Sequence, residues 1–435
     1  MLEPAGGLVF YGILSCGIMR LTTKLGIILT LRCNSGARYL ARSDLSSGSR
    51  IFARAVVTAA LLLAVCGPTQ SAEKPSKTLG FVITTWDTAI VETQFGDECP
   101  EGFATGNDEL WWRGLPKQDR ARLTDNGKRG FSERFGIATN RGPNKENVCL
   151  NPTVVVDPPH KIVEGATSFG MNMDGTTDGK TTPKSCQHQK FTGVDGTPAV
   201  DNQMYRLLGC TYGWHFYGQY QDNANVNRKT TGFGINIIEV TGVDDPRNDP
   251  DVTVNWYHAV DQYALNAQGD FTPFASYRIE TREGKSPYGA PAKGKIVDGV
   301  LETQAADMTL PFYGNYTWMD QKYRDLKLRL KISPDGKSAK GMAAAYYDVD
   351  QLMYYITGLG VVSYSAQSNC PSLYVAAHQL ADGYPDPKTG ECTALSAAYN
   401  FDAVAAFAIH PDAAATKQAD AGPIKRVLTA LGIGE

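Results

Sequence analysis

Residues 326–333, LKLRLKIS, alternate leucine or isoleucine with lysine or arginine almost without fault. A period of two puts successive side chains on opposite faces of a strand. The segment therefore predicts a half-buried strand in an antiparallel sheet, with one face wet. The same period runs through DVTVNWYHAV (251–260), where Val252, Val254, Trp256 and His258 share a face. β-Branched and aromatic runs predict further strands at 79–93, 153–156, 232–243, 275–281, 294–303 and 338–349. Pro334-Asp335-Gly336 predicts a hairpin turn, and DDPRNDP (244–250) a turn-rich connector.

Helical signals are fewer. Asp201 is placed to cap a two-turn helix over NQMYRLL that stops at Gly209, with Met204, Leu207 and Leu208 turned to the core. DVDQLMYYITGLG (348–360) and CPSLYVAAHQLADG (370–383) have an acidic or proline start and a glycine exit, and GPIKRVLTALGIG (422–434) follows. Residues 94–150 read as irregular, with one or two short helices. The pattern predicts a mainly β fold: an antiparallel β-sandwich or jelly-roll-like core with a few short helices, mostly C-terminal. Its expected divisions are an N-terminal extension and signal (1–72), an N-terminal strand with an irregular insertion (73–150), and a β-rich main domain with a C-terminal helical cap (151–435).

The first division differs in character. AVVTAALLLAV (55–65) follows Arg50 and Arg54 and precedes CGPTQSAEK. A positive flank, an apolar core and a small-residue exit describe a secretory signal, cleaved near Ser71 or Ala72. The apolar run is too short to span a bilayer. Leu63-Ala64-Val65-Cys66 also resembles the lipobox of bacterial lipoproteins, which implies acylation of Cys66. That pattern carries Gly, Ala or Ser where this chain has Val65. Only a lipidated Cys66 would give membrane attachment. Upstream, LVFYGILSCGIM (8–19) is a second apolar stretch, either an added membrane segment or sequence ahead of the true start.

The whole chain has 42 Lys/Arg and 45 Asp/Glu. Residues 1–72 hold 7 and 2 of these, so the remainder has 35 and 43, a net charge of −8. With no basic stripe interleaved with aromatics, nucleic acid is excluded as an expected partner. Six cysteines follow the signal: Cys99, Cys149, Cys186, Cys210, Cys370 and Cys392. An even number in an exported chain predicts disulfides and a periplasmic or extracellular home. Proximity in sequence pairs them Cys99–Cys149, Cys186–Cys210 and Cys370–Cys392.

Two acidic loops carry the chemistry read first. Asp174, Thr176, Asp178 and Gly179 resemble the first half of an EF-hand calcium loop, in which oxygen ligands alternate and glycine permits the sharp turn. The twelfth position holds Ser185 instead of the bidentate Glu of that family. Asp195-Gly196 and Asp201-Asn202 resemble steps of a thrombospondin type-3 calcium repeat. Together Asp174, Thr176, Asp178, Asp195 and Asp201 form the expected calcium set, against a plainer reading as turns and a helix cap. Trp214, Tyr217 and Tyr220 cluster in GCTYGWHFYGQYQDN (209–223) and could stack on sugar rings, or alternate between core and surface. The six histidines are scattered, and no HExxH, GxSxG, P-loop or GxGxxG occurs.

The function expected from these features is a calcium-stabilised, disulfide-containing binding or structural protein of the cell envelope. Its partner would be carbohydrate or another envelope component. The alternative is a carbohydrate hydrolase using a carboxylate pair, with candidates among Asp298, Glu302, Asp348 and Asp350.

Overall fold

The structure, a computed structural model, describes residues 16–23, 26–33, 38–42, 77–93, 96–125, 127–215, 219–314, 317–357 and 367–411. The chain separates into two units, Met1–Pro75 and Ser76–Glu435. In the first, strands β1 (Cys16–Thr23), β2 (Gly26–Cys33) and β3 (Arg38–Arg42) form an antiparallel sheet of their own. The signal-like segment at 50–72, and GPIKRVLTALGIG, lie outside the described residues.

The second unit is mainly β, as the alternation predicts. Its strands are β4 (Lys77–Thr88), β5 (Thr167–Ser168), β6 (Thr192–Gly193), β7 (Asn236–Val243), β8 (Asp249–His258), β9 (Ala275–Arg278), β10 (Ala292–Val297), β11 (Val300–Thr303), β12 (Ala306–Gly314), β13 (Thr317–Ile332), β14 (Ser338–Asp348), β15 (Gly383–Pro385) and β16 (Cys392–Ile409). Its helices are α1 (Asn107–Gly114), α2 (Lys117–Asp125), α3 (Gly127–Thr139), α4 (Gln203–Leu208), α5 (Gln219–Thr231), α6 (Val349–Thr357) and α7 (Cys370–Leu380). Three of them, α1 to α3, lie within the stretch at 94–150, where one or two short helices are expected.

The pairing goes beyond two facing layers. β4, β7, β8, β10, β11, β13, β14 and β16 pair in chain order, each antiparallel to the next. β16 then pairs antiparallel with β4. The sheet thus closes on itself as an eight-stranded up-and-down barrel, and its two walls are joined at both edges. Closure removes the exposed edges that invite pairing with other chains. β12 continues the ladder along β13, while β9 and β15 lie against β16.

Eight strands leave an interior that side chains can just fill. Here Leu326, Leu328, Leu330 and Ile332 of β13 meet Phe81, Val254, Trp256, Ala343, Ala345 and Phe401. Lys327, Arg329 and Lys331 point away from that core, as LKLRLKIS predicts. Trp86 stacks on Tyr399 at 5.1 Å and on Phe401 at 5.5 Å, with its edge to Trp256.

Residues 89–235, between β4 and β7, form one long insertion carrying α1 to α5. Its α4 drives Met204, Leu207 and Leu208 into the barrel core, as their spacing predicts. Its Met171 and Met173 pack on the outer wall at Ala344, Tyr346 and Ala394. Two of the disulfides tie the insertion to the C-terminal elements, and all three correct the proximity pairing. Cys99 bonds Cys210, Cys149 bonds Cys370 at the start of α7, and Cys186 bonds Cys392 at the start of β16. Nearest-neighbour pairing fails because the insertion folds back on elements some 200 residues later. The three bridges fit a non-reducing environment. TVVV (153–156) is not a strand but bends and turns, with Val156 fully exposed.

Candidate functional site

Two of the expected metal ligands meet. Asp174 and Asp201 converge under the insertion, where it lies on the outer wall of the barrel. They are joined there by His188, Lys190 and Asp382, none of which the acidic-loop pattern singles out. The five side chains are at most 8% exposed. Lys190 Nζ lies 2.5 Å from Asp174 Oδ1 and 2.7 Å from Asp201 Oδ1. His188 Nε2 lies 2.8 Å from Asp201 Oδ1, 3.7 Å from Asp382 Oδ2 and 3.9 Å from Asp174 Oδ2. His188 Nδ1 faces the Cys186 carbonyl at 2.8 Å.

Each group is held by local geometry. Met173 N donates to Asp201 Oδ2, and Thr176 N and its hydroxyl donate to Asp174. Ser185, the residue at the twelfth loop position, also donates to Asp174. Ser396 N donates to Asp382 Oδ1 at 2.6 Å, fixing that carboxylate against β16. Burial pushes the Asp382 carboxyl up to about 7. Burial also opposes charge on His188, but the Asp201 hydrogen bond and the Asp382 charge outweigh it and raise that ring. Asp174 is likewise desolvated, yet Lys190 and Thr176 hold it below the usual carboxylate range. Burial and the nearby carboxylates push the Tyr346 phenol up.

The other expected ligands sit elsewhere. Asp178 pairs on the surface with Lys180, and Asp195 is exposed 3.9 Å from Arg329. Thr176 belongs to the cluster through Asp174. Asp201 does not cap α4; that role falls to Asn202, whose side chain accepts from Tyr205 N. A cap must turn back to its own helix, whereas Asp201 turns to the histidine and lysine. Asn202 also donates to Ala89 O, Ser168 Oγ and Phe169 O, pinning the insertion to the end of β4.

The aromatic set does not form an exposed platform. Trp214 is 3% exposed and packs in the barrel core beside a cavity of about 50 Å3. Burying so large a ring contributes more than leaving it to solvent. Tyr217 lies outside the described residues, and of Tyr220 only the helical backbone of α5 is described. The four carboxylates weighed for hydrolysis are engaged apart. Asp298 turns the β10–β11 hairpin, Glu302 pairs with Arg329, Asp348 pairs with Arg324 and caps α6, and Asp350 lies in its first turn.

A cavity of about 400 Å3 adjoins the buried cluster through His188. Gln187, Gln189, Gln203, Arg206 and Gln379 line it, with Ile162, Val163 and Leu380 as apolar floor and Glu164 at its side. Gln203 and Arg206 are rigidly placed on α4, 1% and 5% exposed. Arg206 lies over the Phe191 ring at 4.1 Å and donates to Val163 O. Gln203 donates to Gln189 O.

No protein-family model, curated protein or solved structure matches the chain. Function is therefore argued from the site.

Proposed function

We propose that the protein is an exported binding module that takes a small hydroxyl-rich ligand, of the carbohydrate class, in the cavity beside α4. The observation that carries this reading is the glutamine-rich lining of a 400 Å3 space. Its volume falls in the range of small-molecule sites, about 300–1,000 Å3. Glutamine both donates and accepts, so the exposed Gln187, Gln189 and Gln379 suit the mixed hydrogen bonding of neighbouring hydroxyls. Ile162 and Leu380, both partly exposed, supply an apolar face for a sugar ring. The three disulfides support an exported setting for such a module. A non-catalytic role is favoured because the acids nearest the cavity are buried beneath it, and Glu164 alone lines it.

The test is a glycan array followed by calorimetry, with Gln187→Ala/Gln379→Ala as the variant. Both residues are exposed, so the fold tolerates the change. Loss of two hydrogen bonds should weaken binding roughly tenfold or more. Absence of any glycan ligand, or equal affinity in the double variant, rejects the reading. Turnover of a bound glycan would move the protein to the hydrolase alternative.

A further inference from the structure

We infer that the buried cluster of Asp174, His188, Asp201 and Asp382 is a site for a divalent first-row transition-metal ion, Zn2+ or Mn2+, and not the calcium site its loops resemble. The inference is independent of the glycan reading. Asp174, His188 and Asp201 each offer a ligand atom, all within 4.8 Å of one another. Convergence of acids alone would not suffice, but two further features point to a ligand.

First, Asp382 Oδ2 is fully buried with no hydrogen-bond partner among the described residues, and it lies 3.7 Å from His188 Nε2. The Tyr346 hydroxyl is also buried without a hydrogen-bond partner among the described residues, in the electrostatic reach of Asp382, Asp201 and Asp174. Leaving such groups unpaired destabilises the fold, so a ligand that meets Asp382 Oδ2 removes a real penalty. Second, His188 Nδ1 faces the Cys186 carbonyl at 2.8 Å. That is the usual outer bond of a metal-binding histidine, and it leaves Nε2, which here donates to Asp201 Oδ1 at 2.8 Å, as the atom whose proton a metal ion would replace.

An imidazole with carboxylates suits zinc, manganese or iron. Calcium takes six to eight oxygens and has little use for nitrogen. On binding, the ammonium of Lys190 gives up Asp201 Oδ1 and keeps Asp174 Oδ1 and Asp201 Oδ2, which it already approaches at 2.5 and 2.8 Å. The ligands are then His188 Nε2, Asp201 Oδ1, Asp174 Oδ2 and Asp382 Oδ2.

The experiment titrates EDTA-stripped full-length protein with Zn2+, then Mn2+, then Ca2+, by calorimetry. The expected result is one Zn2+ per chain, with Ca2+ neither binding there nor displacing it. His188→Gln and Asp382→Asn should each weaken binding about 100-fold or more, since even outer-shell changes cost 10–100-fold. The control Asp178→Asn/Asp195→Asn should leave affinity unchanged. If the cluster variants fail to fold, the visible spectrum of Co2+-loaded wild-type protein decides. Intense absorption of a four-coordinate nitrogen and oxygen site supports the inference, and a weak spectrum like that of hydrated Co2+ overturns it. Substoichiometric binding, or full affinity in both cluster variants, also overturns it and leaves Lys190 as the resident cation.

Discussion

Lys190→Met offers a direct measure of what the buried cluster contributes to the fold. The substitution keeps an unbranched side chain of similar reach and removes only the ammonium. Lys190 is 8% exposed at its side chain, and its partners Asp174 and Asp201 are fully buried. Removing one partner of a buried ion pair leaves uncompensated charge and costs about 3–5 kcal/mol. Ser76–Glu435 spans about 360 residues. At roughly 2.1 cal/mol/K per residue its unfolding entropy is about 0.75 kcal/mol/K, so Tm should fall by about 4–7 °C. The assay is calorimetric melting at neutral pH in EDTA. Lys180→Met is the control, because Lys180 makes an equally close contact with Asp178 at 2.6 Å but in the open, with side chains 80% and 50% exposed. Solvent screening should make that loss unmeasurable. A Lys190→Met cost below about 1 kcal/mol, or one equal to that of Lys180→Met, would refute the claim that this ammonium neutralises buried acids.

Two further outcomes are expected. Burial holds His160 down at about 4, against a hydrogen bond to Leu207 O that favours the charged ring. A depressed histidine contributes stability that is whole above its unfolded value of 6.5 and is lost as pH falls toward 4. Urea-derived unfolding free energies at pH 7 and pH 4.5 should therefore differ by up to about 3 kcal/mol more in wild type than in His160→Gln, and equal pH responses would refute this. The second concerns Cys149→Ala/Cys370→Ala. With Cys186–Cys392 intact, the loop it closes shrinks from 221 to about 60 residues. The chain-entropy account still assigns it about 4 kcal/mol, so a change under about 1 kcal/mol in the urea-derived stability would contradict that account.

The legible parts of the fold were those with one wet face. β13 shows its inside and outside in the sequence, because lysine and arginine mark every outward position. β16, the longest strand, leaves no such mark. Its inward Ala397 and Ala403 fit against large rings, and its outward Ala394 lies under the insertion. An alanine-rich segment covered on both sides lacks the period of two and has helix-forming residues. TVVV misled for the opposite reason, since valines beside Pro158-Pro159 meet no partner strand. At the site, Asp174 and Asp201 were readable from glycine-punctuated loops. His188 and Lys190 stand two apart, the spacing of one strand face, and that alternation could have drawn attention to them. Asp382 could not be placed from the sequence, because only the return of the chain to β16 brings it to a loop some 180 residues earlier.

The closing of the barrel by β4 and β16 also sets an order of assembly. As the chain emerges from its N-terminal side, β4 must wait for the last barrel strand before both its edges are paired. Cys149 and Cys186 must wait for Cys370 and Cys392, while Cys99–Cys210 lies wholly within the insertion and can form early. During that interval Cys149 and Cys186 are each other's nearest available thiols. Maturation in an oxidising compartment is then governed by reshuffling of a wrong bridge, and a disulfide isomerase, more than a chaperone of the strands, becomes the helper this topology calls for.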